Sequence, residues 1–335
     1  MRLGLPRALL YYQYYPMWRT FFEHLGAETV VSSPTTRRTL TMGAARVVSE
    51  TCLPTKVFCG HVIELADKCD YIFVPSIRSI EERVYNCSKF LGLPDVVKAV
   101  VPEAPPILAI DVDINKGKRS LYQAIYRLGR HFSWNPLKVK EASEAAWRTH
   151  LDYQTFMRTN MLTPLEALAQ MYGEELGAAA KDAAPTAAAR ERGITIAVIG
   201  HPYNMYDEYI NHKLLGRLNK MGIRVMTPEM ASIEELDRGV EKLVGRPYWT
   251  YEDEVVGAGG HYLDAHVDGV ISVVAFGCGP DSVMIDVVQR YAKTPGHRPF
   301  MSLTIDEHTG EAGLVTRLEA FVDMIERKGR PKRVA

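Results

Sequence analysis

Cys278 lies in a sequence context that suits a reactive or metal-binding thiol. It follows an apolar run, residues 270–276, whose β-branched side chains predict a strand buried on both faces. Apolar residues at helical spacing begin soon after it, which predicts a helix capped by Asp281 or Ser282. The turn therefore places Cys278 at the carboxyl end of a strand and near a helix N-terminus, which stabilises a thiolate.

Cys52 and Cys87 also lie in predicted turns, the first of them two residues before Pro54. Together with Cys278 they form a candidate metal site. Their long separations exclude a local zinc knuckle or a ferredoxin-type run, so such a site has to be assembled from both halves of the chain. Because free cysteine is among the most buried residue types, the spacing alone leaves a purely structural role open.

The two other cysteines are weaker candidates. Cys59 lies on the same face of a predicted helix as Cys52 and is a further candidate ligand, although helical spacing of small side chains more often reflects packing. Cys69 directly precedes a buried strand and is expected to be structural.

The turn around Cys278 supports a second interpretation, a nucleotide site. Gly277, Gly279 and Ser282 after a strand and before a helix are part of a dinucleotide-binding fingerprint. The third glycine is missing, and Pro280 removes a backbone donor where a pyrophosphate needs one. The sequence contains no G-x-x-x-x-G-K-S/T motif, so nucleotide binding of the P-loop type is not encoded.

Other polar side chains are predicted at the carboxyl ends of strands, facing the same crevice: His201, Tyr203, Asn204, Asp306 and His308. Such residues serve as substrate ligands or acid–base groups. The structural alternative is that His308 and Glu311 simply cap the last helix. Lys56 and Arg78 offer positive charge to thiolates or to an anionic substrate, or are solvated surface charges.

Composition narrows the class of protein. Lys and Arg together number 40, as do Asp and Glu, so no overall field favours nucleic acid. No apolar run approaches the roughly 18 residues that a membrane-spanning helix requires. The scattered cysteines and the lack of a signal-peptide pattern favour free thiols or metal ligands over disulfides. We therefore expect a cytoplasmic protein that binds neither nucleic acid nor membranes.

The alternation of strand-like and helix-like segments predicts an α/β fold with two Rossmann-like parallel-sheet domains. We expect an N-terminal domain over residues 1–113 and a C-terminal domain over residues 193–335, with the cysteine site in the cleft between them. A capping box at Thr163 and helical spacing predict a helical connector over residues 114–192, which ends in an Ala-rich linker, 177–192.

Two local predictions concern the N-terminal domain. Pro16 is expected at the first position of a helix that ends before Gly26, because proline is tolerated in the first turn and glycine is favoured after the last. A single strand is expected over residues 107–112.

With these residues in view, the chain resembles the 2-hydroxyacyl-CoA dehydratase family, in particular its branch of activase-related and double-cubane cluster proteins. The resemblance covers both α/β domains. The segments that carry it are residues 4–9, 50–56, 85–94, 276–281, 306–313 and 316–321.

The resemblance implies a 4Fe-4S cluster held by three cysteines, which map to Cys52, Cys87 and Cys278. Cys59 and Cys69 do not fall on that pattern. Some relatives carry a double-cubane cluster, which asks for about six thiolates on the usual logic of one thiolate per iron. The five cysteines of this chain make that arrangement the less expected one.

The resemblance also implies a role and partners. Relatives receive electrons from an ATP-hydrolysing activator of the actin and sugar-kinase type, and the dehydratases proper are two-subunit enzymes. For this chain we expect a homodimer or a complex with a related subunit. We therefore expect a low-potential iron–sulfur reductase that reduces a small substrate at an open iron site. One alternative is a subunit of a 2-hydroxyacyl-CoA dehydratase, and another is a nucleotide- or phosphate-binding module without a cluster.

Overall fold

The computed structural model describes residues 1–173, 193–265 and 267–329, and it has the α/β architecture that the sequence predicts. Its N-terminal part contains β1 (Arg2–Leu5), α1 (Tyr11–His24), β2 (Glu28–Val31), α2 (Arg37–Ala44), α3 (Leu53–Leu65), β3 (Tyr71–Phe73), β4 (Ser76–Ser79), α4 (Ser88–Leu91), α5 (Leu93–Val100), β5 (Ile107–Leu108) and β6 (Asp111–Asp113). The predicted connector contains α6 (Lys118–Gly129), α7 (Pro136–Asn160) and α8 (Pro164–Tyr172). The predicted linker, 177–192, lies outside the described residues.

The C-terminal part repeats the alternation of strands and helices. It contains β7 (Thr195–Ile199), α9 (Pro202–Met205), α10 (Leu214–Lys220), β8 (Arg224–Met226), α11 (Ile233–Val244), α12 (Val256–Tyr262), β9 (Gly269–Ala275), α13 (Gly279–Ala292), β10 (Phe300–Ile305) and α14 (Glu311–Gly329). Among these described segments, no helix is long and apolar enough to cross a membrane.

Two four-stranded sheets form the centre of the molecule, and every strand pair in them is parallel. The N-terminal sheet has the order β2-β1-β3-β5 and the C-terminal sheet the order β10-β9-β7-β8. All residues of β9 are buried, as expected of a parallel strand covered on both faces. The Rossmann-like prediction for the fold class is confirmed.

A single hydrophobic cluster joins the two sheets to the helical connector. It includes Leu5 of β1, Ile196 of β7 and Tyr153 of α7. A second cluster covers the other face of the C-terminal sheet and includes Val270 and Met284. Because buried side chains connect both halves, the domain boundaries expected from the sequence stay a prediction.

Pro16 lies inside α1, not at its first position as predicted. A proline there cannot donate to the carbonyl four residues earlier, that of Tyr12. The hydroxyl of Tyr153 on α7 donates to this carbonyl oxygen at 2.9 Å instead. The connector helix therefore satisfies the acceptor that the proline leaves open, and α1 continues to His24.

The strand expected over residues 107–112 is divided between two sheets. β5 pairs with β3 in the N-terminal sheet, whereas β6 pairs with β4 in a separate two-stranded sheet. Arg78, one of the candidate basic residues, lies in β4.

The C-terminal sheet has its topological switch point between β7 and β9, because the chain runs from β7 to β8 on one side and returns to β9 on the other. Ligands of open α/β sheets bind in the crevice outside the carboxyl ends of such strands. β7 ends at Ile199 and β9 at Ala275. His201 and Cys278 therefore follow the two strands that flank this crevice.

Candidate functional site

Each of the three candidate cysteines is the N-cap residue of a helix: Cys52 of α3, Cys87 of α4 and Cys278 of α13. All three have extended backbone conformations. The prediction that Asp281 or Ser282 caps the helix after β9 is wrong, because Pro280 is accommodated in the first turn of α13 and the helix begins earlier. Three separate chain segments thus present cysteine at the start of a helix.

The three cysteine segments converge. Gly277, next to Cys278, lies so close to the chain at Cys52 that a Cβ built on it would be 3.6 Å from the Cα atom of Cys52. Its φ of +79° is in the left-handed region, which glycine adopts without strain. Burial raises the pKa of the Cys278 thiol, and the charges of Asp281, Cys52 and Cys87 raise it further.

Backbone N–H groups approach two of the sulfur atoms. Burial raises the pKa of Cys87, while N–H groups of Phe90 and Lys89 act in the opposite direction. The N–H group of Asp281 does the same for Cys278 but does not offset burial. The expectation of a thiolate stabilised by a helix N-terminus is therefore wrong for Cys278, because desolvation and the nearby carboxylate outweigh the helix. An activated cysteine nucleophile does not fit this turn.

Cys59 and Cys69 have different surroundings. Cys59 is fully buried in the hydrophobic core, and burial is the cause that raises its pKa to about 11. The thiol of Cys69 donates to the carbonyl oxygen of Leu65 at 3.2 Å. The Cys69 sulfur also packs against β1, since a Cβ built on Gly4 would be 2.7 Å from it. Both side chains are explained by packing.

His201 lies at the switch point between two carboxylates. Its Nδ1 atom is 2.6 Å from Oε2 of Glu254, and its Nε2 atom is 2.9 Å from Oδ1 of Asp281. Burial alone lowers the pKa of His201, but Asp281 and Glu254 together hold it well above its ordinary value. Burial raises the pKa of Glu254 despite the opposing effect of His201.

Tyr203 connects this histidine to the cysteines. Its ring stacks on that of His201, with centroids 5.1 Å apart and planes at 29°. Burial raises the pKa of Tyr203 well above its ordinary value, and the charges of Asp281, Cys278 and Cys87 contribute in the same direction. The phenol is thus close enough to the thiols to interact with them electrostatically.

Asn204 is completely buried. Neither its side-chain oxygen nor its side-chain nitrogen has a hydrogen-bond partner among the described residues. Its backbone oxygen accepts from the side chain of Asn211 at 3.0 Å. Asn204 is a buried polar side chain next to the switch point, and the fold does not use its hydrogen-bonding groups.

The two candidate basic residues belong to separate ion pairs. Lys56 on α3 is buried, donates to the carbonyl oxygen of Ser49 at 2.8 Å, and forms an ion pair with Glu307 just after β10. Burial opposes ionisation of Glu307, but the hydrogen bond from Lys56 holds its pKa below the ordinary value. Arg78 lies 3.8 Å from Asp111 and 3.9 Å from Asp113, both on β6.

Asp306 and His308 form a turn after β10. The Oδ1 atom of Asp306 accepts from the N–H group of His308 at 2.9 Å and from the hydroxyl of Thr309 at 2.9 Å, and His308 is exposed. Asp306 also lines a cavity of about 620 Å³ between the two sheets, together with Arg7 and Asp207. The side-chain contacts of Asp306 therefore stabilise this turn, which precedes α14.

Sequence reasoning did not identify the carboxylate partners of His201. Glu254 comes from an acidic run, residues 252–254, and Asp281 was considered only as a helix cap. Glu254 also accepts from the side chain of Gln13 on α1. The acidic run was the signal in the sequence that could have indicated a partner for a buried histidine, because a carboxylate that becomes buried is usually paired.

A second buried chain of polar groups was also missed. The Oγ1 atom of Thr35 lies 2.9 Å from Nε2 of His61 and donates to Oδ2 of Asp207 at 2.5 Å. Burial lowers the pKa of His61 to about 4 and raises that of Asp207 to about 6. Asp207 lies in the wall of the cavity, whereas His61 lies behind it.

No described group of three His, Cys, Asp or Glu side chains is compact enough to hold a single metal ion. The three cysteines interact electrostatically without forming such a group. An iron–sulfur cubane requires a wider spacing of its ligands than a single ion does, because each cysteine would bind a different iron atom and the cluster would occupy the space between the sulfurs.

A family model described as the CoA enzyme activase uncharacterised domain matches residues 2–231. This region includes Cys52, Cys87 and His201 and ends before β9 and Cys278. No curated protein matches the chain. The match agrees with the activase-related branch of the resemblance and does not point specifically to a dehydratase subunit.

Proposed function

The chain belongs to the family of the CoA enzyme activase uncharacterised domain, and from this premise we propose that it is an iron–sulfur reductase component of an acyl-CoA dehydratase system. The cluster ligands are Cys52, Cys87 and Cys278. The observation that carries the proposal is the convergence of three helix-capping cysteines from distant segments beside the sheet's switch point.

The donor set suits a 4Fe-4S cluster. Three thiols leave one iron without a protein sulfur, which is the open position that a substrate needs. Glycine at 277 lets the turn approach Cys52 closely, and the Cβ position of Gly279 faces open space. Burial disfavours thiolates until they bind iron, so cluster binding releases protons from Cys87 and Cys278.

A cluster bound here would supply one-electron chemistry at low potential. The chain itself supplies the surroundings. Backbone N–H groups at the starts of α4 and α13 are directed at the sulfurs of Cys87 and Cys278 and stabilise negative charge on them. Tyr203 provides a buried hydroxyl beside these thiols, and Asn204 provides unused amide groups nearby. These are the groups we propose for substrate orientation.

The proposed electron donor is an ATP-hydrolysing activator of the actin and sugar-kinase type, and the proposed assembly is a homodimer or a complex with a related subunit. The family description supports such an activation system in general terms. A catalytic subunit of a 2-hydroxyacyl-CoA dehydratase is the second candidate. Co-purification of a related subunit together with acyl-CoA-dependent activity would favour it.

Anaerobic reconstitution with iron and sulfide tests the proposal. We expect a brown protein with about four iron atoms per chain, on the usual composition of a 4Fe-4S cluster. Cys52→Ala, Cys87→Ala and Cys278→Ala each lose most of the iron and the visible absorption. Cys69→Ala is the matched control and keeps both.

Two results would overturn this assignment. A colourless wild-type protein without iron would leave the nucleotide- or phosphate-binding interpretation as the better one. Full iron retention in all three alanine variants would show that other residues hold the cluster. Each sample is compared by its thermal unfolding curve, so that loss of iron is not confused with loss of fold.

A further inference from the structure

The carboxylate of Asp281 occupies an unusual position at the cysteine site. It is 1% exposed, lies in the first turn of α13, and its backbone N–H group is directed at Cys278. Neither of its oxygens accepts a well-directed hydrogen bond from the described residues. Its charge is balanced by the ring of His201, whose Nε2 atom is 2.9 Å away.

The geometry of His201 fixes its ionisation. Burial opposes a positive charge on the ring, but the oxygens of Asp281 and Glu254, 2.9 Å from Nε2 and 2.6 Å from Nδ1, outweigh burial and hold the pKa of His201 well above its ordinary value. The ring is therefore an imidazolium. Its side chain is 6% exposed, so the charge is shared between the two carboxylates and not with water.

We propose that His201 is a positioning residue of the cysteine site: by neutralising Asp281 it fixes the first turn of α13, on which Cys278 depends, and it holds Tyr203 beside the thiols. This inference rests on the proposed function in so far as the thiols bind a cluster. Beyond the proposed function, it identifies His201 as the residue that sets the charge and the geometry at the cysteine site.

Three side chains contact His201, and a fourth, Gln13, supports one of them, so that the position of the ring is well determined. Gln13 on α1 donates to Glu254, and Glu254 binds the Nδ1 side of the ring. Asp281 on α13 binds the Nε2 side, and Tyr203 covers one face. Because the supports come from both halves of the chain, the histidine links the helix that begins at Cys278 to the N-terminal part.

The charged and titratable groups around His201 and Asp281 affect the charge of these two side chains and of the nearby thiols. Asp281, Glu254 and Asp253 surround the imidazolium with negative charge. The positive ring in turn favours negative charge at Cys87, whereas Asp281 disfavours it at Cys278. Removing His201 therefore leaves a buried, uncompensated carboxylate beside Cys278, which is a large penalty in a low-dielectric site.

The test compares His201→Gln, Asp281→Asn and the double variant with the wild type. Hydrogen exchange of the protein without a cluster, read by mass spectrometry, reports on the first turns of α13. We expect His201→Gln to accelerate exchange there at least tenfold while α14 is unchanged. In the double variant the exchange rate of these turns returns to within about threefold of the wild-type rate, because the uncompensated carboxylate of Asp281 is gone. His61→Gln, at another buried histidine, is the matched control and leaves α13 unaffected.

A second readout uses the reconstituted protein. The midpoint potential of the cluster shifts to more negative values in His201→Gln, because a positive charge has been removed, and it returns towards the wild-type value in the double variant. A purely structural role predicts that the double variant is as disturbed as the single one in both measurements. That result, or unchanged exchange in α13 of His201→Gln, overturns the inference.

The outcomes separate this inference from the proposed function. If the wild type holds no iron, the proposed function fails, and hydrogen exchange alone still decides the role of His201. If His201→Gln does not fold but the double variant does, neutralisation of Asp281 is supported. If neither folds, or if Asp281→Asn alone loosens α13 as much as His201→Gln, the positioning role is refuted.

Discussion

Two buried histidines, His61 on α3 and His201 at the switch point, have almost the same exposure and opposite ionisation. His61 is 0% and His201 is 5% exposed. Burial lowers the pKa of His61 to about 4. Burial acts in the same direction on His201, but its two carboxylate partners reverse the outcome and raise its pKa. The partner, and not the depth of burial, decides the charge of a buried imidazole.

The neutral tautomer of His61 follows from its contacts. The hydroxyl of Thr35 donates its single proton to Asp207, so its oxygen accepts from Nε2 of His61. Nδ1 is then the unprotonated atom, and it has no hydrogen-bond partner among the described residues. A histidine buried away from water is therefore stable either as a neutral ring beside a hydroxyl, as His61 is, or as a charged ring between carboxylates, as His201 is.

The largest expected difference is in stability. Replacing His201 with Gln leaves the buried carboxylate of Asp281 without its counter-charge and should lower the free energy of unfolding by about 3–5 kcal/mol. Replacing His61 with Gln removes one hydrogen bond and should cost about 1–2 kcal/mol. Urea denaturation at pH 7 measures both. Equal costs would show that burial, and not the partners, dominates at both positions.

The next difference is in pH dependence. The stabilisation from His61 is lost towards low pH, whereas the stabilisation from His201 is lost towards high pH. The stabilisation that His61 provides is full above pH 6.5 and decreases as the pH falls from 6.5 towards about 4, because only the unfolded state takes up the proton there. The rate of loss is about 1.4 kcal/mol per pH unit. The stabilisation from His201 is full below pH 6.5 and decreases as the pH rises towards its elevated folded pKa.

This prediction is measured as the difference in unfolding free energy between the wild type and each histidine variant across pH 4–9. Taking the difference removes contributions from titrating groups that do not interact with the two histidines, whereas Glu254, whose pKa His201 lowers, stays part of the His201 difference. If both differences decrease in the same direction, one of the two ionisation states is assigned incorrectly. Imidazole ¹⁵N shifts of the folded protein give an independent check of each ring.

The smallest expected effect concerns Thr35. Thr35→Val removes the hydroxyl between His61 and Asp207 and should destabilise the protein by about 1 kcal/mol. The pKa of Asp207 rises further in this variant, since the hydrogen bond from Thr35 lowers it. Thr35→Ser keeps the hydroxyl and serves as control. Chemical denaturation and carboxyl ¹³C shifts provide the two measurements, and an unchanged Asp207 would contradict the hydrogen-bond assignment.

Regular elements could be predicted from the sequence where one pattern dominates locally. β9 differs from the predicted strand by one residue at each end, and the capping box predicted at Thr163 is present. These features depend on neighbours along the chain, such as β-branched runs and side chains that cap their own helix. Parallel pairing of the strands followed from the alternation with helices.

The errors arose where a distant residue determines the local structure. Pro16 lies within a helix because Tyr153 satisfies the carbonyl that the proline leaves open, that of Tyr12, from 141 positions away. Cys278 has no stabilised thiolate because burial and Asp281 outweigh the helix N-terminus. The charge of His201 depends on Glu254 and Asp281, and nothing in the sequence around the histidine indicates that these side chains meet in space.

The ion pair between Lys56 and Glu307 has a consequence for the order in which the site is built. Its partners are separated by 251 positions. During synthesis the strands of the N-terminal sheet, with Cys52 and Cys87, emerge long before β9 and β10. Lys56 and these two cysteines are therefore synthesised long before Glu307 and Cys278, their partners at the site. The cluster proposed for these three thiols would therefore be inserted only after translation of β10.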